Sequence, residues 1–298
     1  MRTDSLIGKV CLVTGGTSGI GGAISAKLAS TGATVLMTCR DMEKGEIVRK
    51  NIVEVSKNQM VDLMQVNLDS LESVRKLARD FREKHGSLHL LINNAAVVEG
   101  KRIVTKDGLE EVFQVNYLSH FLLTLLLLDI IKGSAPSRIV NVVSSVHTHI
   151  DFDDLQEEKG YNAVRSYGQS KLAQIMFTYE LSKRLEGSGV TVNCVHPGAV
   201  RTHLGDEGGI VGLGIKMIRP FVMSPEKAAS SLIYVATSLD LKHVTGKYFF
   251  KDKIKESSKE SYDEEASKKL WNVSLKLSGL SNVLLGNESL KSQSTGSK

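Results

Sequence analysis

The sequence has few of the residues that mark several classes of protein. Its 298 residues include only 4 prolines and 3 cysteines, and aromatic residues make up 5%. The cysteines are Cys11, Cys39 and Cys194, which lie in apolar runs without metal-ligand spacing. This pattern excludes a disulfide-rich secreted scaffold and predicts buried, reduced thiols and no metal site.

Neither sign of charge dominates the chain. Lys and Arg number 38 against 33 Asp and Glu, and the formal net charge is +5. The two signs alternate along most of the sequence, whereas a nucleic-acid-binding protein concentrates its positive charge in a patch or tract. We therefore predict no nucleic-acid partner and a globular enzyme or binding protein.

Long hydrophobic runs are also missing. The N-terminal residues enter the first predicted strand at Lys9, which leaves no room for a secretory signal. The most apolar stretch, Tyr117–Ile131, contains Ser, His, Thr and Asp and is shorter than the ~18 to 20 apolar residues of a spanning helix. We expect a buried helix there, and a cytoplasmic protein without a signal peptide or transmembrane anchor.

Short β-branched runs alternate with longer helical patterns along the chain. This alternation predicts an α/β fold: a single-domain, Rossmann-type, doubly wound parallel sheet with helices on both faces. We assign the domain to residues 1–280 and expect a flexible C-terminal tail at 281–298. The predicted strands are Lys9–Thr14, Thr34–Cys39, Val61–Val66, Leu88–Ile92, Arg138–Val143, Val190–Val195 and Lys247–Phe250. The predicted helices are Gly19–Ser30, Met42–Ser56, Leu71–Lys84, Leu109–Ile131, Ala163–Leu185 and Pro225–Thr237.

A glycine-rich turn, TGGTSGIG, follows the first predicted strand and opens the first predicted helix. Its glycines, Gly15, Gly19 and Gly21, let the backbone approach a pyrophosphate whose charge meets the helix N-terminus. Strand-to-helix turns also use glycine for steric reasons alone. The position of this turn after the first strand is what favours a dinucleotide site.

The second predicted strand ends in Arg40, where an NAD-binding protein would carry an acidic residue for the ribose hydroxyls. A guanidinium at this point suits a 2′-phosphate, which it can hold through two charge-assisted hydrogen bonds. NADP(H) is therefore the predicted preference, and NAD(H) is the alternative. Arg40 could instead be a solvated charge or a partner of Asp41.

A tyrosine and a lysine four residues apart, Tyr167 and Lys171, lie in a predicted helix with one apolar face. Residues at this spacing are neighbours, so the ammonium could favour phenolate and lower a tyrosine pKa that starts near ~10. Such a tyrosine can exchange protons near neutrality. Taken alone, the pair is more typical of an ordinary helix surface, and the remaining motifs decide between the two interpretations.

Six motifs in order make the chain resemble the short-chain dehydrogenase/reductase family, most closely its retinol dehydrogenase-like branch. They are TGGTSGIG, NNAA, TKDGLEEVFQVNYLSHFLLT, RIVNVVSS, YGQSK and HPGAVRT, and the resemblance covers Lys9–Leu277. It implies Tyr167 as the acid/base, Lys171 as its partner and ribose anchor, and Ser145 as a hydrogen-bond donor to the substrate oxygen. It also implies that Asn116 holds a proton-relay water, although an Asn inside a helix can simply bond to local backbone.

The resemblance further implies an enzyme that moves a hydride between a nicotinamide and a carbonyl or alcohol. Tyrosine and serine hydroxyls would supply the proton and stabilise the oxygen, while the nicotinamide performs the hydride step. A catalytically inactive, cofactor-binding scaffold of the same fold is the alternative, which the retained Tyr, Lys and Ser disfavour. The implied cofactor-binding residues are Gly15, Thr17, Ser18, Gly19, Ile20, Gly21, Arg40, Asn67, Leu68, Asn94, Tyr167, Lys171, Pro197, Gly198, Val200 and Thr202.

Three positions depart from the family pattern. Gly22 stands where many NADP-using relatives carry Lys or Arg, so one phosphate contact is missing. Asn67 replaces the Asp that usually contacts adenine, and its amide oxygen can still accept that hydrogen bond. Ala96 replaces the last glycine of the NNAG motif and adds a methyl group.

The stretch Leu204–Met223 is apolar and punctuated by glycines, which is typical of a lid over a lipophilic substrate. It predicts a lipophilic carbonyl or alcohol, such as a retinoid, a long aldehyde or an apolar ketone. Packed core, or a peripheral membrane contact beside Lys216 and Arg219, are the alternatives. A homodimer through Leu109–Ile131 and Ala163–Leu185 follows from the resemblance, although burial within one chain would give the same apolar faces.

Overall fold

The centre of the fold is an eight-stranded sheet in the order β3-β2-β1-β4-β5-β6-β7-β8. The computed structural model describes residues 5–199 and 223–280. Strands β1 to β7 run parallel, and β8 pairs antiparallel with β7. The predicted α/β fold is confirmed. The strands are β1 Val10–Val13, β2 Thr34–Cys39, β3 Val61–Gln65, β4 Leu90–Asn93, β5 Ser137–Val142, β6 Val190–His196, β7 Lys247–Phe250 and β8 Lys253–Lys255.

The helices mostly begin where the sequence supplies a capping side chain. In the described part of the chain, side chains at six of the starts of the α-helices accept backbone N–H bonds from the first turn, namely those of Asp41, Ser70, Glu110, Asn162, Ser224 and Asp263. The helices are α1 Gly19–Ala29, α2 Met42–Ser56, α3 Leu71–Lys84, α4 Glu111–Phe113, α5 Ser119–Leu126, α6 Leu128–Gly133, α7 Ala163–Arg184, α8 Pro225–Thr237 and α9 Glu264–Leu277.

The sheet separates two hydrophobic cores. In β1, Leu12 belongs to the core shared with α3, α5 and α7, whereas Cys11 and Val13 belong to the core shared with α1 and α8. Successive strand residues point to opposite faces, so a strand buried on both sides is apolar throughout. The strand order turns back between β1 and β4, which places a ligand crevice outside their carboxyl ends.

The stretch predicted as one helix, Leu109–Ile131, is helical from Glu111 but not uniformly α-helical. It consists of α4, a π-helical turn at Gln114–Leu118, α5 and, after a turn at Leu127, α6. The side chain of Asn116 in the π turn accepts from Val97 N–H at 2.7 Å and donates to Val97 C=O at 3.0 Å. These bonds tie the π turn to the loop after β4. The predicted helix is therefore present, the π turn within it was not predicted, and the predicted burial of Tyr117–Ile131 agrees with its place in the first core.

Two elements, β8 and α9, are not among the predicted ones. β8 is only three residues long and reads Lys-Ile-Lys, so it carries no apolar pattern. α9 has one, because Ala266, Leu270, Val273 and Leu277 recur at helical spacing after the cap at Asp263. The sequence signal for α9 was therefore present.

Helix α9 covers the faces of α5 and α7. Trp271 lies edge-on to Phe121 with ring centroids 5.1 Å apart and stacks on Phe177 at 6.0 Å. The Arg184 guanidinium lies 4.1 Å from the Trp271 ring centroid, and the Tyr117 hydroxyl is 2.7 Å from Ser274 Oγ. Much of the apolar surface that suggested a homodimer is thus buried within one chain, and the homodimer stays a prediction.

Several further predictions can be compared with the described residues. The three cysteines are buried and free, as predicted. In the ranges 5–199 and 223–280, no helix is long and apolar enough to cross a membrane. The predicted tail at 281–298, and the predicted lid except for Met223, lie outside the described residues. The domain boundaries stay a prediction.

We predict that Trp271→Ala lowers the free energy of unfolding by about 3 to 5 kcal/mol, because it removes a buried aromatic side chain and leaves a cavity against Phe121 and Phe177. Urea unfolding followed by circular dichroism measures the loss. Trp271→Phe keeps most of the contact area and serves as the matched control with a smaller loss. A loss below about 1 kcal/mol for the alanine variant would show that α9 is not part of the core.

Candidate active site

The glycine-rich turn after β1 is built so that only glycine fits at its closest approach. A Cβ added at Gly21 would lie 2.1 Å from the Gly15 carbonyl oxygen, and Gly15 itself has φ +60°. The turn is fixed to β2, because Thr38 accepts from Gly15 N–H through Oγ1 at 3.2 Å and from Gly16 N–H through its carbonyl at 3.1 Å. A ligand bound above the turn can therefore come into close contact with the backbone.

The N-terminus of α1 is free to bind an anion. The side chain of Ser18, its first flanking residue, makes no capping bond, and the first turn has no acidic residue. Thr17, Gly19 and Ile20 are partly exposed beside it. An uncapped helix start carries partial positive charge and unpaired N–H groups, which suit a pyrophosphate. The residues present thus fit the diphosphate of a dinucleotide.

Gly22 could hold a side chain. A Cβ there would come no closer than 3.6 Å to another atom, so packing does not require glycine at this position. The Lys or Arg that many NADP-using relatives carry would fit.

A buried threonine joins the glycine turn to neighbouring elements. Thr14 Oγ1 accepts from the N–H groups of Asn94 at 2.8 Å and Ala95 at 3.1 Å, and lies 2.9 Å from His120 Nε2. Both lone pairs of the hydroxyl are then in use, so it donates to His120. The other ring nitrogen of His120 faces the Asn116 carbonyl at 3.0 Å, and Nδ1 therefore carries the proton. Burial lowers the pKa of His120 to about 4, which agrees with a neutral ring.

Arg40 is exposed at the end of β2 and lacks an ion-pair partner in the described ranges. Asp41, the alternative partner, instead caps α2 through Lys44 N–H at 3.1 Å and pairs with Lys44 Nζ at 3.3 Å. Burial is the main cause of a raised pKa at the Glu111 carboxyl. The positive charge of Arg40 is close enough to oppose that rise. The guanidinium is therefore available to a ligand at this edge.

A cleft of about 340 Å³ opens beside this edge and is lined by Asn67, Asp69, Thr105, Lys106 and Glu111, among others. Asn67 is exposed at the end of β3, whereas Leu68 is buried and its carbonyl accepts from Ser119 Oγ at 2.6 Å. Asn94 lies on the opposite side of the crevice, where its side chain donates to Thr14 C=O at 2.9 Å. These residues could border the adenosine half of a dinucleotide.

The structure brings Tyr167, Lys171 and the serine pair together at the carboxyl end of β5. Val143 N–H still bonds to Val195 C=O of β6 at 2.9 Å, so Ser144 and Ser145 are the first residues beyond the ladder. The Ser144 hydroxyl accepts from Val146 N–H at 3.1 Å and is close enough to Tyr167 to oppose the rise in the pKa of that phenol. Ser145 is exposed, and its role as the donor to the substrate oxygen stays a prediction.

Lys171 is buried against the end of β5. Its Nζ donates to Val142 C=O at 3.1 Å and to Gln174 Oε1 at 2.8 Å, and lies 5.6 Å from the Tyr167 ring centroid. Burial lowers the pKa of Lys171 from 10.5 to about 7. Burial also raises the pKa of Tyr167, and the Ser144 hydrogen bond only opposes that rise. The predicted lowering of the tyrosine pKa by Lys171 is therefore contradicted, because burial dominates.

Asn116 lies in the π turn, behind the tyrosine and lysine. Besides its bonds to Val97, its side chain donates to Ser170 Oγ at 3.0 Å, and Ser170 donates to Tyr167 C=O at 2.7 Å. The side chain thus fixes local backbone, and its main-chain carbonyl faces His120. A role with a relay water stays a prediction.

The loop after β6 borders the site from the other side. Pro197 is buried, and a Cβ added at Gly198, which has φ +98°, would lie 2.5 Å from Met223 Cε. Met223, the last residue of the predicted lid, donates its N–H to Ala199 C=O at 2.9 Å. Two implied cofactor residues, Val200 and Thr202, lie outside the described residues.

Three site residues were missed by sequence reasoning: Thr14, His120 and Gln174. The contacts of Thr14 with His120 join residues 106 positions apart, so no local pattern reports them.

The sequence model of the short chain dehydrogenase family matches residues 9–208. The chain is a short chain dehydrogenase. Retinol dehydrogenase 13 of Mus musculus is 45% identical over 282 residues, which are 92% of this chain and 84% of that protein. Retinol dehydrogenase 11 of Homo sapiens is 42% identical over an alignment of 280 residues that covers 93% of this chain and 88% of that protein. The resemblance of this short chain dehydrogenase to the retinol dehydrogenase-like branch is thereby confirmed, and the protein is an oxidoreductase.

Solved structures support the same assignment. The Pseudomonas aeruginosa RhlG/NADP active-site complex is 27% identical, has a TM-score of 0.68, and covers 85% of this short chain dehydrogenase and 98% of its own chain.

We predict that Lys171→Met raises the free energy of unfolding at pH 7 by on the order of a few kcal/mol. The pKa of Lys171 is about 7 in the folded protein and 10.5 for an unperturbed lysine, as in the unfolded chain. Between these two pH values the unfolded chain therefore binds more protons than the folded protein. The stability of the parent therefore rises with pH across that window, and the advantage of the variant shrinks. Urea unfolding at several pH values measures it.

Lys183→Met is the matched control, because Lys183 lies on the same helix and its side chain is 54% exposed. It should leave the pH dependence unchanged. A Lys171→Met protein less stable than the parent at pH 7 would contradict the burial cost.

Proposed function

We propose that this protein is an NADP(H)-dependent oxidoreductase that transfers a hydride between the nicotinamide and a lipophilic carbonyl or alcohol. The observation that carries the proposal is the convergence of Tyr167, Lys171 and the serine pair Ser144 and Ser145 at the carboxyl end of β5. This group lies on the same edge of the sheet as the glycine turn, which follows β1. The predicted site is therefore one crevice with a dinucleotide cradle and a proton donor.

In this proposal Tyr167 is the acid and base of the reaction. The nicotinamide supplies the hydride chemistry when bound. Because burial keeps the pKa of Tyr167 above its usual range, the hydroxyl stays protonated near neutral pH and can donate to a carbonyl oxygen. Ser145 donates a second hydrogen bond to that oxygen as negative charge develops. The Lys171 ammonium stabilises the phenolate that remains.

Arg40 supports NADP over NAD as the cofactor. Its guanidinium is exposed at the end of β2, its neighbour Asp41 is occupied with Lys44, and that strand end has no carboxylate at position 40 for ribose hydroxyls. The relative of known structure named above was solved with NADP. Together these features favour a 2′-phosphate at Arg40.

The proposed substrate class rests on similarity. Retinol dehydrogenases 11 and 13 are 42 and 45% identical to this chain, so an apolar alcohol or aldehyde is the first candidate. The cytoplasmic location and a peripheral membrane contact stay predictions.

We predict that Ser145→Ala lowers kcat for aldehyde reduction by roughly 10²-fold or more, as the loss of an oxyanion donor usually does. Ser144→Ala, at the adjacent serine, is the matched control and should retain activity closer to that of the parent. Tyr167→Phe should lose turnover while still binding NADPH. The loss of NADPH absorbance measures the rates, and fluorescence measures the binding. A large loss in Ser144→Ala with normal Ser145→Ala would reverse the assignment.

We predict that Arg40→Asp weakens NADPH binding at least ~10-fold, because one charge-assisted bond is replaced by repulsion. The new carboxylate should favour the ribose hydroxyls of NADH. The measurement is KM for both cofactors in the parent and the variant, with thermal stability expected to change little. Lys50→Asp, at another exposed cation, is the control. If the NADPH/NADH ratio of Arg40→Asp equals that of the parent, Arg40 does not bind the phosphate.

A further inference from the structure

Gln174 is a buried glutamine whose amide is only half used. It is 2% exposed, and its Oε1 accepts from Lys171 Nζ at 2.8 Å. Its Nε2 is buried and has no hydrogen-bond partner among the described residues. Buried polar groups in native proteins are nearly always paired, so this nitrogen requires an explanation.

Lys171 sets the orientation of that amide. A lysine nitrogen that is charged can only donate, so the glutamine must present its oxygen to Nζ and turn its NH₂ group into the protein interior. Packing alone does not explain why a glutamine occupies position 174, because an apolar side chain of similar length would fill the space without leaving an unpaired donor. The glutamine is therefore better explained by what it does to Lys171.

We propose that Gln174 is a positioning residue that holds the Lys171 ammonium in place beside Tyr167 and favours its charged form. The second acceptor, Val142 C=O, belongs to the sheet backbone, so Gln174 is the side-chain part of this anchor. Other titratable groups face Lys171 as well: Tyr167 lies on the same helix, and His120 on α5 is close enough for the lysine charge to lower its pKa. The inference rests on the proposed role of Lys171.

The test reads the titration of Lys171 directly, without substrate. Protein labelled with ¹³C at lysine Cε is titrated by NMR, and the Lys171 signal is assigned from its absence in Lys171→Met. In Gln174→Met the ammonium loses an acceptor, so its pKa should fall by about one unit. In Gln174→Glu it gains a negative partner, so its pKa should rise by a similar amount. A protein that turned over no carbonyl would still give this result.

Gln169→Met is the matched control. Gln169 is buried on the same helix, but its amide bonds to Asp151 N–H and Leu155 C=O, so its loss should not move the Lys171 titration. It should lower the melting temperature more than Gln174→Met, because it removes two satisfied bonds. A Lys171 titration that is unchanged in Gln174→Met, or a greater loss of melting temperature in Gln174→Met than in Gln169→Met, would overturn the proposal.

Discussion

The burial of one lysine ammonium constrains the whole site. Lys171 is 2% exposed, and a buried charge is tolerated only where it is paired or hydrogen-bonded. Its acceptors are the Val142 carbonyl of β5 and the Gln174 side chain of α7. The bond to Val142 ties the helix to the strand, and the bond to Gln174 holds the lysine side chain within its own helix. Tyr167, one turn earlier on the helix, is thereby brought to the serine pair that follows β5.

The cofactor side and the proton-donor side are joined through the protein interior. Thr14, at the end of β1, binds the backbone of Asn94 and Ala95 and donates to His120. His120 in turn donates to the carbonyl of Asn116, whose side chain bonds with Ser170 next to Lys171. Protonation of His120 would leave its second N–H facing a hydroxyl whose lone pairs are already used. A neutral histidine therefore holds the glycine turn and the π turn in one arrangement.

Features that depend on only a few neighbouring residues were predicted from the sequence. The glycine turn, the Tyr167 and Lys171 spacing and the strand runs are each encoded within a few residues, and they lie where they were expected. Where β5 ends could not be predicted to the residue, because that end depends on pairing with β6, some fifty residues later in the chain. The π turn was missed because it depends on the bonds of Asn116 with Val97. The direction of the pKa shift of Tyr167 was missed because burial, which sequence spacing does not report, raises that pKa.

The central claim is that the crevice moves a hydride from a nicotinamide to a carbonyl carbon while Tyr167 donates the proton. The most direct measurement uses NADPH that carries deuterium at both positions of the reactive nicotinamide carbon, with retinal or a long-chain aldehyde as substrate. Mass spectrometry then locates the label in the alcohol. The account predicts one deuterium on the carbinol carbon with the parent protein and none with Tyr167→Phe. An alcohol without deuterium, or no alcohol from any apolar aldehyde in a protein that binds NADPH, would contradict it.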